Sequence, residues 1–265
     1  MSLTDKINAL TAYANEVTGE SDTTLSEAVH TLADGYGQGG GGDSIWNTIV
    51  DGTVTEIDDK DGLCTAVKDY TFGRCTSLTS VFLPSATSVG NYAFNSCTKL
   101  SSVDLPHTTS VGKNVFYGCT KLSSLGLPSA TSIGASAFNG CTNLSFISLP
   151  SATTLRSSVF TNCSALTVAD LPNVASILTY VFSGCTALKA LILRKSDSIC
   201  TLSSTNAFSY TPIAKNTGGY IYVPSSLIET YKTASQWSTF AAQFRALEDY
   251  TVDGTITGDL DPNKI

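Results

Sequence analysis

The chain has 265 residues, a formal net charge of −7 and only 14% charged residues, against about 25% in ordinary soluble proteins. So acidic a chain lacks the clustered Lys and Arg that phosphate backbones or anionic lipid demand, which argues against nucleic acid as a partner. No apolar run approaches the roughly 18 residues of a membrane span, and Met1-Ser2-Leu3-Thr4-Asp5 lacks the basic-then-apolar start of a secretory signal. The expectation is a soluble chain with no nucleic-acid and no membrane partner.

Residues 1–36 carry two helical patterns. Leu3, Ile7, Leu10, Ala14 and Val17 fall at alternating steps of four and three, the spacing of a coiled-coil seam. Gly19 can end that helix. Thr24-Leu-Ser-Glu27 has the capping-box spacing that starts a second one, along which Leu25, Val29, Leu32 and Tyr36 repeat the steps. Isolated helices below about 12–15 residues rarely persist in water, so these segments need partners. One expectation is an intramolecular helical hairpin. The other is a homo-oligomer held through Leu3, Ile7, Leu10, Val17, Leu25, Val29 and Leu32 and docked into a larger structural assembly. Residues 37–44, with Gly37 and Gly39 to Gly42, read as a flexible tether. Residues 45–68 read as N-terminal cap strands, because Trp46 to Ile57 alternates. Asp51-Gly-Thr-Val-Thr55 is echoed by Asp253-Gly-Thr-Ile-Thr257, either as two unrelated turns or as edge strands that pair between subunits.

From Asp69 the sequence becomes periodic. Cys75, Cys97, Cys119, Cys141, Cys163 and Cys185 are spaced by 22 residues without interruption. The same interval separates Phe72, Phe94, Phe116, Phe138, Phe160 and Phe182, the leucines from Leu78 to Leu188, and the prolines from Pro84 to Pro172. A fixed period of this length marks a solenoid. Within one copy, Val103 and Leu105 flank a single polar residue, which is strand alternation, and Pro106 stops the strand. Val111 and Val115-Phe116 then bring a second short segment back to the core. One such coil cannot bury its own apolar face, so stability must come from stacking coil on coil. At the usual strand spacing of about 4.7–4.9 Å, six coils make a stack on the order of 30 Å long.

The phrases Ala93-Phe94-Asn-Ser-Cys97-Thr-Lys-Leu100 and Ala137-Phe138-Asn-Gly140-Cys141-Thr-Asn-Leu144 resemble the BspA-type leucine-rich repeat, and the resemblance runs from about Asp69 to Leu193. It implies an α+β fold: a solenoid of 22-residue coils with a parallel sheet over residues 69–217, an N-terminal helical segment and a C-terminal strand-helix cap over 218–248, with 249–265 as a tail. Gly118, Gly140 and Gly184 match the family's glycine before the cysteine, whereas Arg74, Ser96 and Asn162 depart from it, so that position does not strictly require glycine. Arg194 stands where a sixth proline would be. The spacing then slips by four before Ala207-Phe208, as in a decaying terminal repeat. Tyr220 to Leu247 resembles the family's closing cap, a strand, Pro224, then a helix carrying Leu227, Ile228, Tyr231, Trp237, Phe240 and Phe244.

Catalytic chemistry finds little material. His30 and His107 have no evident partner, and His107 occupies a slot filled elsewhere by Ser85, Ser129, Ser151 and Asn173, so it reads as a surface residue. Asp58, Asp59 and Asp61, like Asp259 and Asp261, fail the EF-hand spacing and read as solvated turns. None of the eight cysteines forms a C-x-x-C pair, so a ladder of free, buried thiols is expected rather than disulfides or zinc. No metal and no cofactor is expected. What remains is a binding surface on the outward side of the sheet, where Phe82, Asp104, Phe146, Val168, Asp170 and Ile192 stand out among small and hydroxylated neighbours. These residues either anchor a ligand or meet a flanking loop or cap.

The resemblance associates the chain with bacterial surface adhesins and with phage structural proteins. The start at Met1 and the helix, tether and repeat plan lead to the first expectation, a non-enzymatic virion component, fibre or tail, that presents the rod to a host-surface glycan or protein. The alternative is a secreted or cell-surface bacterial adhesin of the BspA type.

Overall fold

A computed structural model describes residues 55–59, 62, 64–249, 251–252 and 255–256. The two N-terminal helices with their oligomerisation residues, the tether, the paired turns at Asp51 and Asp253, and His30, Asp61, Asp259 and Asp261 lie outside the described residues. Strands β1 (Glu56–Asp58) and β2 (Ala66–Val67) open a stack of coils. Every coil then supplies a three-residue strand followed by a two-residue one: β3 (Ser80–Phe82) and β4 (Ser88–Val89), β5 (Ser102–Asp104) and β6 (Ser110–Val111), β7 (Ser124–Gly126) and β8 (Ser132–Ile133). The later coils give β9 (Phe146–Ser148) and β10 (Thr154–Leu155), β11 (Val168–Asp170) and β12 (Ser176–Ile177), β13 (Ala190–Ile192) and β14 (Thr201–Leu202). Neighbouring strands pair in parallel at a 22-residue offset, Ser80 with Ser102 and Ser102 with Ser124. The solenoid thus has two parallel walls, one of longer and one of shorter strands, and a third wall of turns.

The inside of the stack is a set of side-chain ladders. Val81, Val103, Ile147, Ala169 and Leu191 are buried from the long strands, Val89, Val111, Ile133, Leu155 and Ile177 from the short ones. Seven phenylalanines, Phe72 through Phe182 and then Phe208, stack face to face at 5.3–5.7 Å between ring centroids. Phe208 lies 26 residues after Phe182, so the slipped coil still delivers its ring to the ladder. The extra four residues bulge instead around Ser203–Asn206.

Cysteine recurs for a reason that only the coordinates reveal. Each ladder thiol donates to the phenylalanine carbonyl 25 residues back: Cys97 to Phe72 at 3.0 Å, Cys119 to Phe94 at 3.1 Å, Cys141 to Phe116 at 3.2 Å, Cys163 to Phe138 at 3.1 Å and Cys185 to Phe160 at 3.0 Å. A small apolar group with one weak donor satisfies a buried carbonyl that no backbone N–H reaches. Burial pushes the Cys119, Cys141 and Cys185 thiols well up from their ordinary range, so they stay protonated as these bonds require. All eight cysteines are free.

Both strand walls are interrupted at one place. Ser101, Ser123, Thr167 and Lys189 donate their N–H groups to carbonyls 22 residues earlier, and Gly90, Gly112, Gly134 and Leu178 to carbonyls 23 residues earlier. Among the described residues the equivalent bonds from Ser145 and Arg156 are missing, and β7 does not pair with β9, nor β8 with β10. The turn wall stays closed there through Ser136 to Ser157, Phe138 to Val159 and Gly140 to Thr161. The corner after the short strand supplies the cause. A Cβ added at Gly112 would sit 2.7 Å from Asn91 N, and one at Gly134 would sit 2.4 Å from Gly112 C. The first coils close on one another only because these corners have no side chain. Arg156 occupies the next corner, and its Cβ excludes that approach. Beyond it the corner is built on Leu178 and the ladder forms again, so the seam is the junction between two corner geometries.

The C-terminal end is sealed by a cap that differs from the single helix expected. Helix α1 (Pro212–Lys215) and strand β15 (Tyr220–Val223) lead to a 3-10 turn, then α2 (Ile228–Thr233), a 3-10 segment over Trp237–Gln243 and strand β16 (Phe244–Ala246). Gln236, at φ 65°, breaks the helix, so Phe244 reaches the core from a strand instead. Trp237 and Phe240 close the phenylalanine ladder against Phe208 at 5.9 and 5.2 Å. The slipped coil is clamped at Cys200, whose N–H donates to Tyr231 Oη and whose carbonyl accepts from Trp237 Nε1, each at 2.7 Å.

Candidate ligand-binding face

The outward side of the long-strand wall is set by register. Before the seam, one row holds Ser80, Ser102 and Ser124, and the next Asp58, Phe82, Asp104 and Gly126. After it, one row holds Phe146, Val168, Ala190 and Tyr220, and the next Ser148, Asp170, Ile192, Tyr222 and Arg245. Alternation of inward and outward residues fixes these rows, and the seam divides the face into a hydroxyl and acidic half and an apolar half.

The six residues singled out from the sequence part company here. Phe82 and Phe146 are half-buried and Asp104 is exposed, so all three stand on the open face. Gly126 gives the Asp104 carboxylate its room, because a Cβ there would meet Asp104 Oδ1 at 2.7 Å. Val168 is half-buried and packs with Tyr222 and Leu247 around Ala190 and Ile192. Ile192 is fully buried in that cluster, so it meets the cap rather than solvent. Asp170 is buried too and pairs with Arg194, Nε to Oδ1 at 2.9 Å. Burial pushes the Asp170 carboxyl up, and the Arg194 guanidinium pulls it back down. This ion pair ties two neighbouring coils at the site where the proline ladder ends.

Sequence patterning missed the cover on this half because it comes from elsewhere. β16 adds to the wall beyond β15, Arg245 lies 4.2 Å over the Tyr220 ring, and Leu247 follows onto the apolar cluster. The open remainder is the face of the earlier coils with Phe146 at its border. His107 is exposed, as expected. Asp59 accepts the Cys64 N–H at 2.8 Å, a turn contact rather than part of a cation cage. Among the described residues no cluster of His, Cys, Asp or Glu is arranged to hold a metal ion, and no helix is long and apolar enough to cross a membrane.

Comparison with known proteins agrees with this architecture. The model for the BspA type leucine-rich repeat region matches six copies, over residues 65–189 and 109–234. The chain belongs to this family. Among solved structures, this BspA-type chain is similar to a leucine-rich cell surface protein from Faecalibacterium prausnitzii, with 28% identity, a TM-score of 0.53, and coverage of 60% of this chain and 43% of that one. It is also similar to a leucine-rich repeat protein of T. pallidum, with 30% identity, a TM-score of 0.47, and coverage of 48% and 62%. A third, from Bacteroides ovatus, has 25% identity, a TM-score of 0.47, and coverage of 60% and 47%. The chain thus spans less than two thirds of the length of each of these proteins. No curated protein matches it.

Proposed function

We propose that this chain is a non-enzymatic binding module of the bacterial cell surface, one that recognises a ligand through its solenoid walls. Family membership together with the likeness to a leucine-rich cell surface protein carries this reading. The stack supports it physically: its core is apolar and closed, and its accessible chemistry is hydroxyls, amides, a few carboxylates and aromatic rings on rigid walls. In this reading Phe82, Asp104 and Phe146 form part of the contact surface, and residues 1–36 assemble copies of the chain at the attachment end. The virion setting rests on the pattern of residues 1–42, and the similarity to a cell surface protein favours the bacterial setting over it.

Two measurements test the proposal together. Antibody labelling of intact producing cells locates the chain, and flow cytometry measures binding of the labelled full chain to candidate host cells. Surface labelling with saturable binding that Phe82→Asp and Phe146→Asp weaken is the expected result. Labelling only after permeabilisation, or recovery of the chain only in purified phage particles, overturns it.

A further inference from the structure

The turn wall carries a feature that the fold itself does not require. Each turn places residues in the left-handed region at two positions four apart. The first is filled by Tyr70, Tyr92, Asn114, Ser136, Ser158 and Tyr180, the second by Arg74, Ser96, Gly118, Gly140, Asn162 and Gly184, with Tyr210 in the slipped coil. Glycine and asparagine adopt this conformation at least cost, and a bulky side chain there is a true outlier. The chain uses Asn114, Gly118 and Gly140 where only the turn matters, yet at four such positions it holds tyrosine at φ 57–65°.

These rings gain little from packing. Tyr70 is 50% exposed, Tyr180 46% and Tyr210 69%; with Tyr117 at 44%, they are all the exposed large hydrophobic residues described. No Leu, Ile or Phe is among them. Strained, exposed aromatic residues gathered on one wall point to a role outside the fold.

The surroundings define the chemistry. Tyr70 and Tyr92 stack with parallel planes at 4.8 Å, and Lys113 Nζ lies 5.5 Å over the Tyr92 ring, so one end of the ridge is held in place. A rail of polar bonds runs beside it: Asn91 Nδ2 donates to Asp69 Oδ2 at 3.0 Å, and Asn91 Oδ1 accepts the Lys113 N–H at 2.9 Å. Tyr70, Tyr92 and Tyr117 make one platform and Tyr180 with Tyr210 a second. Tyr92 and Tyr180 are four coils apart along a stack whose rungs are spaced by 5.4–5.6 Å. Asn114, Ser136 and Ser158 lie between the platforms.

We infer that this tyrosine ridge binds an extended carbohydrate chain. The axial C–H faces of pyranose rings stack on tyrosine, while sugar hydroxyls bond to phenol, amide and serine groups along the wall. A protein partner would call for a contiguous, desolvated apolar centre. Here the rings stand apart on a convex wall with polar groups between, which suits a long, neutral, hydroxyl-rich polymer that touches separate platforms. The inference rests on the surface-binding reading and adds to it the class of ligand.

The test compares the full chain with a Tyr70→Asn/Tyr180→Asn/Tyr210→Asn variant, chosen because asparagine tolerates the left-handed turn and the fold should melt at or above the wild-type temperature. Affinity electrophoresis against mannan, xylan, β-glucan and mucin O-glycans is run beside binding to intact and periodate-treated cells. The expected result is retardation by at least one polysaccharide, weakened about tenfold or more in the variant, with cell binding lost after periodate oxidation of the surface sugars. Retardation by none of the four, or retardation equal in the variant, overturns the inference. Cell binding that survives periodate also overturns it and assigns a protein receptor, leaving the surface-binding reading intact. Absence of cell binding defeats both.

Discussion

Phe138→Ala probes the energetic basis of the stack. Phe138 is fully buried and sits between Phe116 at 5.5 Å and Phe160 at 5.4 Å, so truncation removes both ring contacts and leaves a cavity between three coils. Phe-to-Ala changes in such cores cost about 3–5 kcal/mol, of which each lost stack supplies about 0.5–1.5 kcal/mol. In a one-dimensional stack an interior rung serves two interfaces and an end rung fewer. Phe72 is only half-buried and has one described ring neighbour, Phe94 at 5.3 Å, so Phe72→Ala should cost roughly half as much. Urea unfolding followed by far-UV circular dichroism gives both values, compared at equal m so that the transitions stay comparable. Equal losses at the two positions, or a loss below about 1 kcal/mol at Phe138, would refute the claim that stacking holds this fold together.

Amide hydrogen exchange should find the seam: the Ser145 and Arg156 amides exchange faster than those of Ser123, Gly134, Thr167 and Leu178, and uniform protection across them would contradict it. Burial holds the Cys200 thiol up at about 12 against a usual value of 9.0; because the folded state keeps this proton longer, stability is full below about pH 9 and falls as pH rises toward 12. Cys200→Ala should make that alkaline slope shallower by about 1.4 kcal/mol per pH unit, read from denaturant titrations at successive pH values, and an unchanged slope would count against it. Tyr231→Phe strands the Cys200 N–H at the clamp and should cost about 1–3 kcal/mol in the same urea assay. Leu10→Asp with Val29→Asp in the full chain should give a monomer by light scattering if residues 1–36 assemble subunits, and a persisting oligomer would refute that role.

The 22-residue interval was enough to place the coils, the inward ladders and the thiols in a row, because each of those is dictated by position within a repeat. Features set by interaction between distant segments were not legible in the same way. Nothing local to Ile192 or Asp170 announces that Tyr222, Leu247 and Arg194 cover them. The cap helix looked longer than it is because Trp237, Phe240 and Phe244 are all apolar, while Gln236 turns the chain out of helical geometry with no glycine to mark it. The seam did leave a trace, Gly90, Gly112 and Gly134 giving way to Arg156, but its meaning depends on how closely the coils approach. The tyrosine ridge left one as well: Gly118, Gly140 and Gly184 mark the left-handed slot that Tyr210 shares, yet burial and direction of the ring come only from the coordinates. Cysteine itself was read as a small hydrophobe, and its bond to a phenylalanine carbonyl one coil back was hidden by the 25-residue span.

Thiol protection tests the in-register stack most directly. Mass spectrometry of the native chain after timed alkylation, without reductant, followed by alkylation in denaturant, reports each cysteine separately. The account predicts that half-buried Cys64 reacts first, that the six ladder thiols and Cys200 stay protected until unfolding, and that all eight are then modified. Ladder thiols that react as fast as Cys64, or that have already joined in disulfides, would contradict coils stacked with each cysteine bonded to the coil before it.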